Sequence, residues 1–320
     1  MAGPGRLSAT AAITPGVLDE WLARLVGLDD VGARPVVACS GGPDSVALLA
    51  LTIATGRTPT AVYVDHGLRP EAGAEGGFVA ALAQAFGVPA RVVPIAVDPG
   101  SNLEARARHA RYGALDALRR EIHAACVLVG HTADDQAETV VLNLMRGSAG
   151  SGLGAMAVRR GSVVRPLLGL RRADCESVCA AIGVVPTRDV MNTDRAFRRV
   201  AVREDLLPRM SAVAERDLVP VIARQADVLR SESEYLDDLA RAAWSPDAGC
   251  SRADVLARLP LPLARRAVRQ WLGSPPPSFA DVERVLAVAR GEIRATEISG
   301  GRRVVRRTGA LSVVRASVRS

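Results

Sequence analysis

The chain has 320 residues, 48% hydrophobic and 23% charged, a globular balance and a length that suits two domains at roughly 100–200 residues each. Its formal net charge is +7 and all 41 cationic residues are arginine, which excludes a lysine Schiff base, a pyridoxal-phosphate anchor and a GxxxxGK phosphate loop, since each needs a primary amine. The excess of positive charge favours a polyanionic partner, and no apolar run approaches the roughly 20 residues of a membrane-spanning helix.

The first 15 residues lack the basic segment and unbroken apolar stretch of a secretion signal, so a cytoplasmic protein with no membrane association is expected. From Arg34 to about Leu168, short apolar runs at 35–39, 61–64, 91–95, 126–129 and 163–165 alternate with alanine- and leucine-rich stretches at 44–54, 74–86, 103–123 and 133–145. This alternation predicts an α/β domain with a doubly wound parallel five-stranded sheet of Rossmann-like type, which binds ligands at the carboxyl ends of its strands. A second region opens near Asp174, passes through arginine-rich 188–209 and enters a helical segment at 214–243 that Ser245-Pro246-Asp247-Ala248-Gly249 breaks. Helices at 253–272 and 279–289, then a hairpin over 298–314 with turns at Gly300-Gly301 and Thr308-Gly309, predict a small α+β domain. The expected organisation is a catalytic domain over 12–212, a linker helix over 213–244 and a small domain over 245–320. The five cysteines (Cys39, Cys126, Cys175, Cys179 and Cys250) contain no CxxC pair, so they read mainly as small buried hydrophobes.

The loop Ser40-Gly41-Gly42-Pro43-Asp44-Ser45 follows a predicted strand and opens a predicted helix. Glycine permits close backbone approach, the helix start presents free N–H groups, and two serines add hydroxyls, so the loop suits a phosphate group. The plainer alternative is a strand-to-helix turn that only uses glycine. Asp65 and His66 fall just past the second strand, near the crevice. His131, Asp135 and Glu138, at i, i+4 and i+7, share one face if helical, and two carboxylates beside a histidine suit a divalent cation or a cationic amine. Asp134 reads as a solvated acid favoured at a helix start. Arg302, Arg303, Arg306 and Arg307 form an arginine patch that would give salt-dependent affinity for RNA, or else a solvated hairpin face.

The string Ser40 to Ser45 resembles the SGGxDS signature of the PP-loop ATP pyrophosphatases, which cleave ATP between the α and β phosphates. Val64-Asp65-His66-Gly67-Leu68-Arg69, the run 130–139 (GHTADDQAET), Arg146-Gly147-Ser148, Gly152-Leu153-Gly154-Ala155-Met156 and Arg165-Pro166-Leu167-Leu168 are similar, in order, to the tRNA(Ile)-lysidine synthetases. Glu104, Arg106, Arg111 and Tyr112 match a further block. Asp189, Asn192, Asp194, Phe197, Arg203 and Leu206-Leu207-Pro208 match another, in which Met191 departs from the usual serine or threonine and Arg198-Arg199-Val200 follows the pattern loosely. The length corresponds to the family's short form.

This resemblance implies an ATP-dependent carbon–nitrogen ligase whose substrates are tRNA(Ile) with a CAU anticodon, ATP and free L-lysine, with Mg²⁺. The wobble cytidine's C2 oxygen attacks the α phosphorus and releases pyrophosphate; the lysine ε-amine then attacks C2, expelling AMP and leaving lysidine. It assigns Asp44, Asp65 and His131 to catalysis, with Asp44 also at the metal. ATP falls to Ser40, Gly41, Gly42, Pro43, Asp44, Ser45, Val64 and His66, and lysine to Asp135 and Glu138. RNA contacts fall to Arg106, Arg111, Arg146, Asn192, Arg203, Arg302, Arg303, Arg306 and Arg307. Rival readings are a tRNA 2-thiolation enzyme, for which no CxxC equipment is present, a non-catalytic RNA-binding protein, and an amide ligase or NAD synthetase. The sequence does not give the oligomeric state; a homodimer is compatible with it.

Overall fold

The computed structural model describes residues 13–65, 67, 72–96, 103–187, 198–246 and 251–315. His66, Asp189, Met191, Asn192, Asp194 and Phe197 lie outside the described residues. The chain divides into two compact units, with the boundary after Asp227.

In the first unit, α1 (Pro15–Ala23) precedes β1 (Val36–Ala38), α2 (Pro43–Ala54), β2 (Thr60–Asp65), α3 (Ala72–Phe86), β3 (Ala90–Pro94) and α4 (Leu103–Glu121). Then come β4 (Val127–Leu128), α5 (Ala133–Met145), α6 (Gly150–Leu153), β5 (Arg159–Arg160), β6 (Val163–Val164) and α7 (Arg172–Ala181). The sheet order is β3-β2-β1-β4-β6-β5, parallel except for β5. The doubly wound parallel sheet is therefore as expected, with one addition. The antiparallel β5 is two residues long and turns back into β6 at once, too short to leave an alternation in the sequence.

Period-2 alternation puts opposite faces of each strand into separate cores. Val37, Ala61, Tyr63 and Leu128 pack with α2, α3 and α7, whereas Val36, Val62, Val64, Val127 and Val129 pack with Leu115 and Leu118 of α4. Helix α7 contributes Cys175, Val178 and Cys179 to the α2 side, so the stretch at Asp174 completes this core and does not open a new region. Strand order reverses between β1 and β4, which makes the carboxyl edge there the switch-point crevice.

The segment after the crevice strands forms α8 (Arg198–Ala201), a π-helical turn (Val202–Leu206) and α9 (Leu207–Val213), which run on continuously. Val202 and Leu207 pack against Ala137 and Val141 of α5. Helix α10 (Val219–Ala243) carries the boundary between units.

The second unit contains α11 (Ala253–Arg258), α12 (Leu261–Leu272), α13 (Phe279–Arg290) and an antiparallel sheet of β7 (Ala295–Ile298), β8 (Arg302–Arg307) and β9 (Ala310–Arg315). The predicted helix over 253–272 is interrupted at Leu259-Pro260, where proline has no N–H to continue it. Trp244, Leu256, Val268, Val285 and Val304 form the core; the Trp244 indole donates to the Arg252 carbonyl at 2.9 Å and meets Trp271 edge-on. Ser278 and Asp281 make a reciprocal capping box on α13, and Gly291 closes that helix in the left-handed region. No helix among the described residues is long and apolar enough to cross a membrane.

Candidate active site

The loop after β1 is built for backbone exposure. Gly41 has φ +86°, and a Cβ there would stand 2.7 Å from the Thr187 hydroxyl, whose residue donates its N–H to the Gly41 carbonyl at 3.0 Å. Gly42 caps α2 without any side-chain bond and Pro43 takes the first turn, where its missing N–H costs nothing. Ser45 Oγ accepts from Ser40 N at 3.1 Å and donates to the Gly42 carbonyl at 2.9 Å, fixing the loop's curvature. Behind it, Gly130 at the end of β4 permits close passage, for a Cβ there would lie 3.0 Å from the Asp44 carbonyl.

Asp44 sits in the first turn of α2 with one carboxylate oxygen, Oδ1, buried and without a partner. Its Oδ2 is 3.8 Å from Arg172 Nε. Burial pushes this carboxyl up to about 6, with Asp135 and Asp134 adding to the rise and Arg172 opposing it. An acid whose charge is only partly compensated, at a phosphate-binding helix start, suits a divalent cation shared with phosphate oxygens, because Mg²⁺ takes one or two carboxylates plus phosphates and water.

Across the crevice, α5 begins with a capping box in which Thr132 N donates to Asp135 Oδ2 at 2.9 Å. Glu138, one turn on, is fully buried. It is met by Arg199 Nε at 2.6 Å on Oε2, Arg203 Nε at 2.6 Å on Oε1, and Arg172 Nη1 at 3.5 Å. Asp135 faces Arg199 at 2.9 Å and Arg172 at 3.5 Å. Burial works against its charge, but Arg199 and Arg172, with the Thr132 N–H, outweigh that and hold its carboxyl below the usual range. Asp134 is more than a solvated helix start: it takes both Arg171 Nη2 at 3.0 Å and Nε at 3.1 Å, and the Arg172 N–H at 2.8 Å, so it ties α5 to α7. Beside these acids opens a cleft of about 300 Å³ lined by Asp134, Glu138, Arg171, Arg172, Arg203 and Ser211.

His131 precedes α5, and its Nδ1 is buried without a partner. Burial pulls the imidazole down to about 3, Asp135 opposing and Arg165 and Arg108 reinforcing the fall, so the ring is neutral at neutral pH.

The structure thus brings together Asp44, His131, Asp135, Glu138 and Arg203. Arg203, expected on RNA, is bonded to Glu138. Asp65 ends β2 and accepts the Gly67 N–H at 2.8 Å; Val64 faces the α4 core, which leaves only its backbone toward the crevice. Arg106 is half-buried with Nε and Nη2 unpartnered. Arg146 caps α5 and is exposed beside Leu144 and Met145. In the second unit, the four-arginine patch divides. Arg302 donates to the carbonyls of Leu272, Pro275 and Ser299, and Arg306 to that of Ala289, so each places its cation at a helix carboxyl terminus; Arg303 and Arg307 are exposed.

Sequence reasoning missed Arg171, Arg172 and Arg199. One signal existed: two arginines at the start of α7 oppose the helix macrodipole, which implies acids elsewhere to receive them. Cys39, Cys126, Cys175 and Cys179 are all buried, and burial raises each thiol, Cys179 to about 12, so none of the four presents a thiolate.

Residues 20–210 match the family model described as a PP-loop domain. The chain is 42% identical to a tRNA(Ile)-lysidine synthase of Nocardia farcinica over 79% of each chain, and 43% identical to one of Mycolicibacterium paratuberculosis over 81% of each. It is 37% identical to a tRNA(Ile)-lysidine synthase of Salinispora tropica over 91% of this chain and 93% of that one. A solved structure of the U34-tRNA thiolase NcsA from Methanococcus maripaludis with its [4Fe-4S] cluster shares the fold, at TM-score 0.56 and 16% identity, over 68% of this chain and 80% of that one. Loop, crevice acids and these similarities agree: the chain belongs to the tRNA(Ile)-lysidine synthases, ATP-dependent tRNA-modifying ligases built on a PP-loop domain.

Proposed function

We propose that this protein converts the wobble cytidine of CAU-anticodon tRNA(Ile) to lysidine, using ATP and free L-lysine, in the cytoplasm. The observation that carries this reading is the pairing, across one switch-point crevice, of a pyrophosphate loop with a buried acid pair. The loop's free N–H groups and serines take the β and γ phosphates, and the cytidine C2 oxygen attacks the α phosphorus, releasing pyrophosphate. Mg²⁺, held by Asp44, would supply neutralising charge to the departing pyrophosphate. The lysine ε-amine then attacks C2 and AMP leaves with the oxygen. The second amine proton must be lost in that step, and His131, as a neutral imidazole, offers a hydrogen-bond acceptor at the crevice rather than a cationic acid.

Asp135 and Glu138 receive the lysine amine in this reading. Their charge is already met by Arg172, Arg199 and Arg203, so an ammonium gains little there, and the arrangement favours the uncharged amine that the attack requires. Arg146, Asn192, Arg303 and Arg307 are the RNA contacts proposed, over an organisation of catalytic domain, linker helix and small domain; a homodimer remains the proposed assembly, to be read by light scattering.

The test combines ATP, labelled lysine and a CAU-anticodon transcript, scored for lysine in RNA and for pyrophosphate. A folded, ATP-binding sample that incorporates no lysine refutes the reading. Asp44→Asn should lower pyrophosphate release at least 100-fold without loss of stability, because its raised pKa marks a charge that burial disfavours in the fold. Retained turnover would remove the loop acid from catalysis.

A further inference from the structure

The acids of the crevice are matched by Arg171, Arg172, Arg199 and Arg203, and the surplus charge lies on the other side of His131. Arg108, Arg111 and Tyr112 stand at i, i+3 and i+4 on α4, on a face that continues into the core at Leu115. Arg108 Nη2 donates to the Tyr112 hydroxyl at 3.4 Å, with its Cζ 5.0 Å from the ring centroid; Arg111 Cζ is 5.5 Å from the same centroid. Arg165, which follows β6, converges on the same hydroxyl, as does Arg111. Arg165 is only 7% exposed; Nη1 donates to the Ala157 carbonyl at 2.8 Å, and Nε is buried without a partner. Among the described residues, none of these three arginines has a carboxylate within ion-pair distance.

One phenol oxygen has two lone pairs and cannot satisfy three guanidiniums. Arginine does not escape the cost of burial by losing its proton, so Arg165, the buried member of the three with Nε unpartnered, is the one an entering anion would stabilise most. Its position follows the strand order. Asp44 follows β1, the acid pair follows the neighbouring β4, and Arg165 follows β6 beyond it, so loop, acids and arginine pocket succeed one another along the carboxyl edge.

We propose that Arg111 and Arg165, converging on Tyr112, bind the α-carboxylate of the amino-acid substrate, with Arg108 at the rim. This rests on the reading that free lysine is the amine donor. A lysine held there runs from the β6 side across the acids, and its ε-amine points toward the loop after β1, where the adenylated base forms. Two planar guanidiniums match a carboxylate's two oxygens. A terminal carboxylate needs one opening, whereas an RNA phosphodiester continues on both sides and needs a groove; the buried Arg165 at the base favours the former. The Arg111 contact thereby goes to lysine and not, as the family resemblance implies, to RNA.

The test uses the full-length protein with a CAU-anticodon transcript and ATP, comparing KM for lysine with KM for cadaverine, which is lysine without its carboxylate. The wild-type KM for lysine should be at least 100-fold lower. In Arg111→Gln and Arg165→Gln, the lysine KM should rise at least 30-fold and the lysine-to-cadaverine discrimination fall at least tenfold. Arg165 also holds a backbone carbonyl, so thermal unfolding accompanies both variants, and Arg111→Gln stands by itself if Arg165→Gln does not fold. Equal wild-type KM values for the two amines overturn the assignment before any substitution is made. Unchanged discrimination in folded variants overturns it too, and if the tRNA KM and its salt dependence move instead, the pocket holds an RNA phosphate. Failure of the wild type to incorporate lysine at all sinks the underlying lysine reading and the carboxylate assignment together; incorporation with unchanged discrimination sinks only the latter.

Discussion

Two groups of arginines line the same crevice with opposite charge balance. Arg171, Arg172, Arg199 and Arg203 each find carboxylates on α5, and through them α7 and α8 are tied to the strand-following helix. Arg108, Arg111 and Arg165 converge instead on a phenol, with no acid to meet them among the described residues. Residue type is the same in both; what differs is whether the fold itself supplies the counter-charge. Where it does, the arginines hold elements together and set the charge of the acids. Where it does not, the compensation must come from outside.

The largest expected effect breaks the matched group. Glu138→Ala leaves three guanidiniums facing a buried void, and removal of one partner from a buried ion network costs about 3–5 kcal/mol. Urea unfolding of the variant checks this, and a loss below about 1 kcal/mol would mean that the network does not hold the fold. Tyr112→Phe probes the unmatched group. Removing the oxygen takes away the acceptor the guanidiniums share and should cost about 1 kcal/mol of stability, well below the Glu138 effect, while the lysine KM rises about fivefold, or roughly 1 kcal/mol, from a loosened arginine fork. A KM unaffected by the change would show that the phenol does not position the arginines. The smallest effect extends the contrast to β8. The double variant Arg303→Ala with Arg307→Ala should flatten the dependence of log K on log salt for tRNA by about 0.7 per lost phosphate contact. Arg302→Ala should instead lower stability by about 1–2 kcal/mol, because its guanidinium caps carbonyls. Identical salt slopes in the two variants would remove the distinction.

Much of the fold and the loop was legible in the sequence because the determining forces are local. Strand faces follow from period-2 alternation, as Val36 and Val37 or Val62 and Tyr63 show by entering opposite cores. Ser40 to Ser45 could be read as a phosphate cradle since glycine freedom and an uncapped helix start depend on consecutive residues alone. Asp135 and Glu138 share a turn of α5 as the spacing predicts, whereas His131 stands two residues before that helix, so its expected place on the same helical face does not hold and its interaction with Asp135 is made from the preceding loop. The expectation that a second region opens near Asp174 fails because an amphipathic helix does not state which core it joins, and burial of Cys175 and Cys179 against α2 settles that.

The sequence by itself therefore determined the parallel α/β sheet, the pyrophosphate loop and the acid-bearing start of α5. Only the tertiary structure decided how those acids are charged and who meets them. Arg199 and Arg203 reach Glu138 across 61 and 65 residues of chain, and no periodicity links positions so far apart. The same holds for Arg302 and Arg306, indistinguishable in sequence from Arg303 and Arg307 until helix carboxyl termini arrive beneath two of them. Coulomb and desolvation energies depend on distance and burial in space, and those are set by packing rather than by order along the chain.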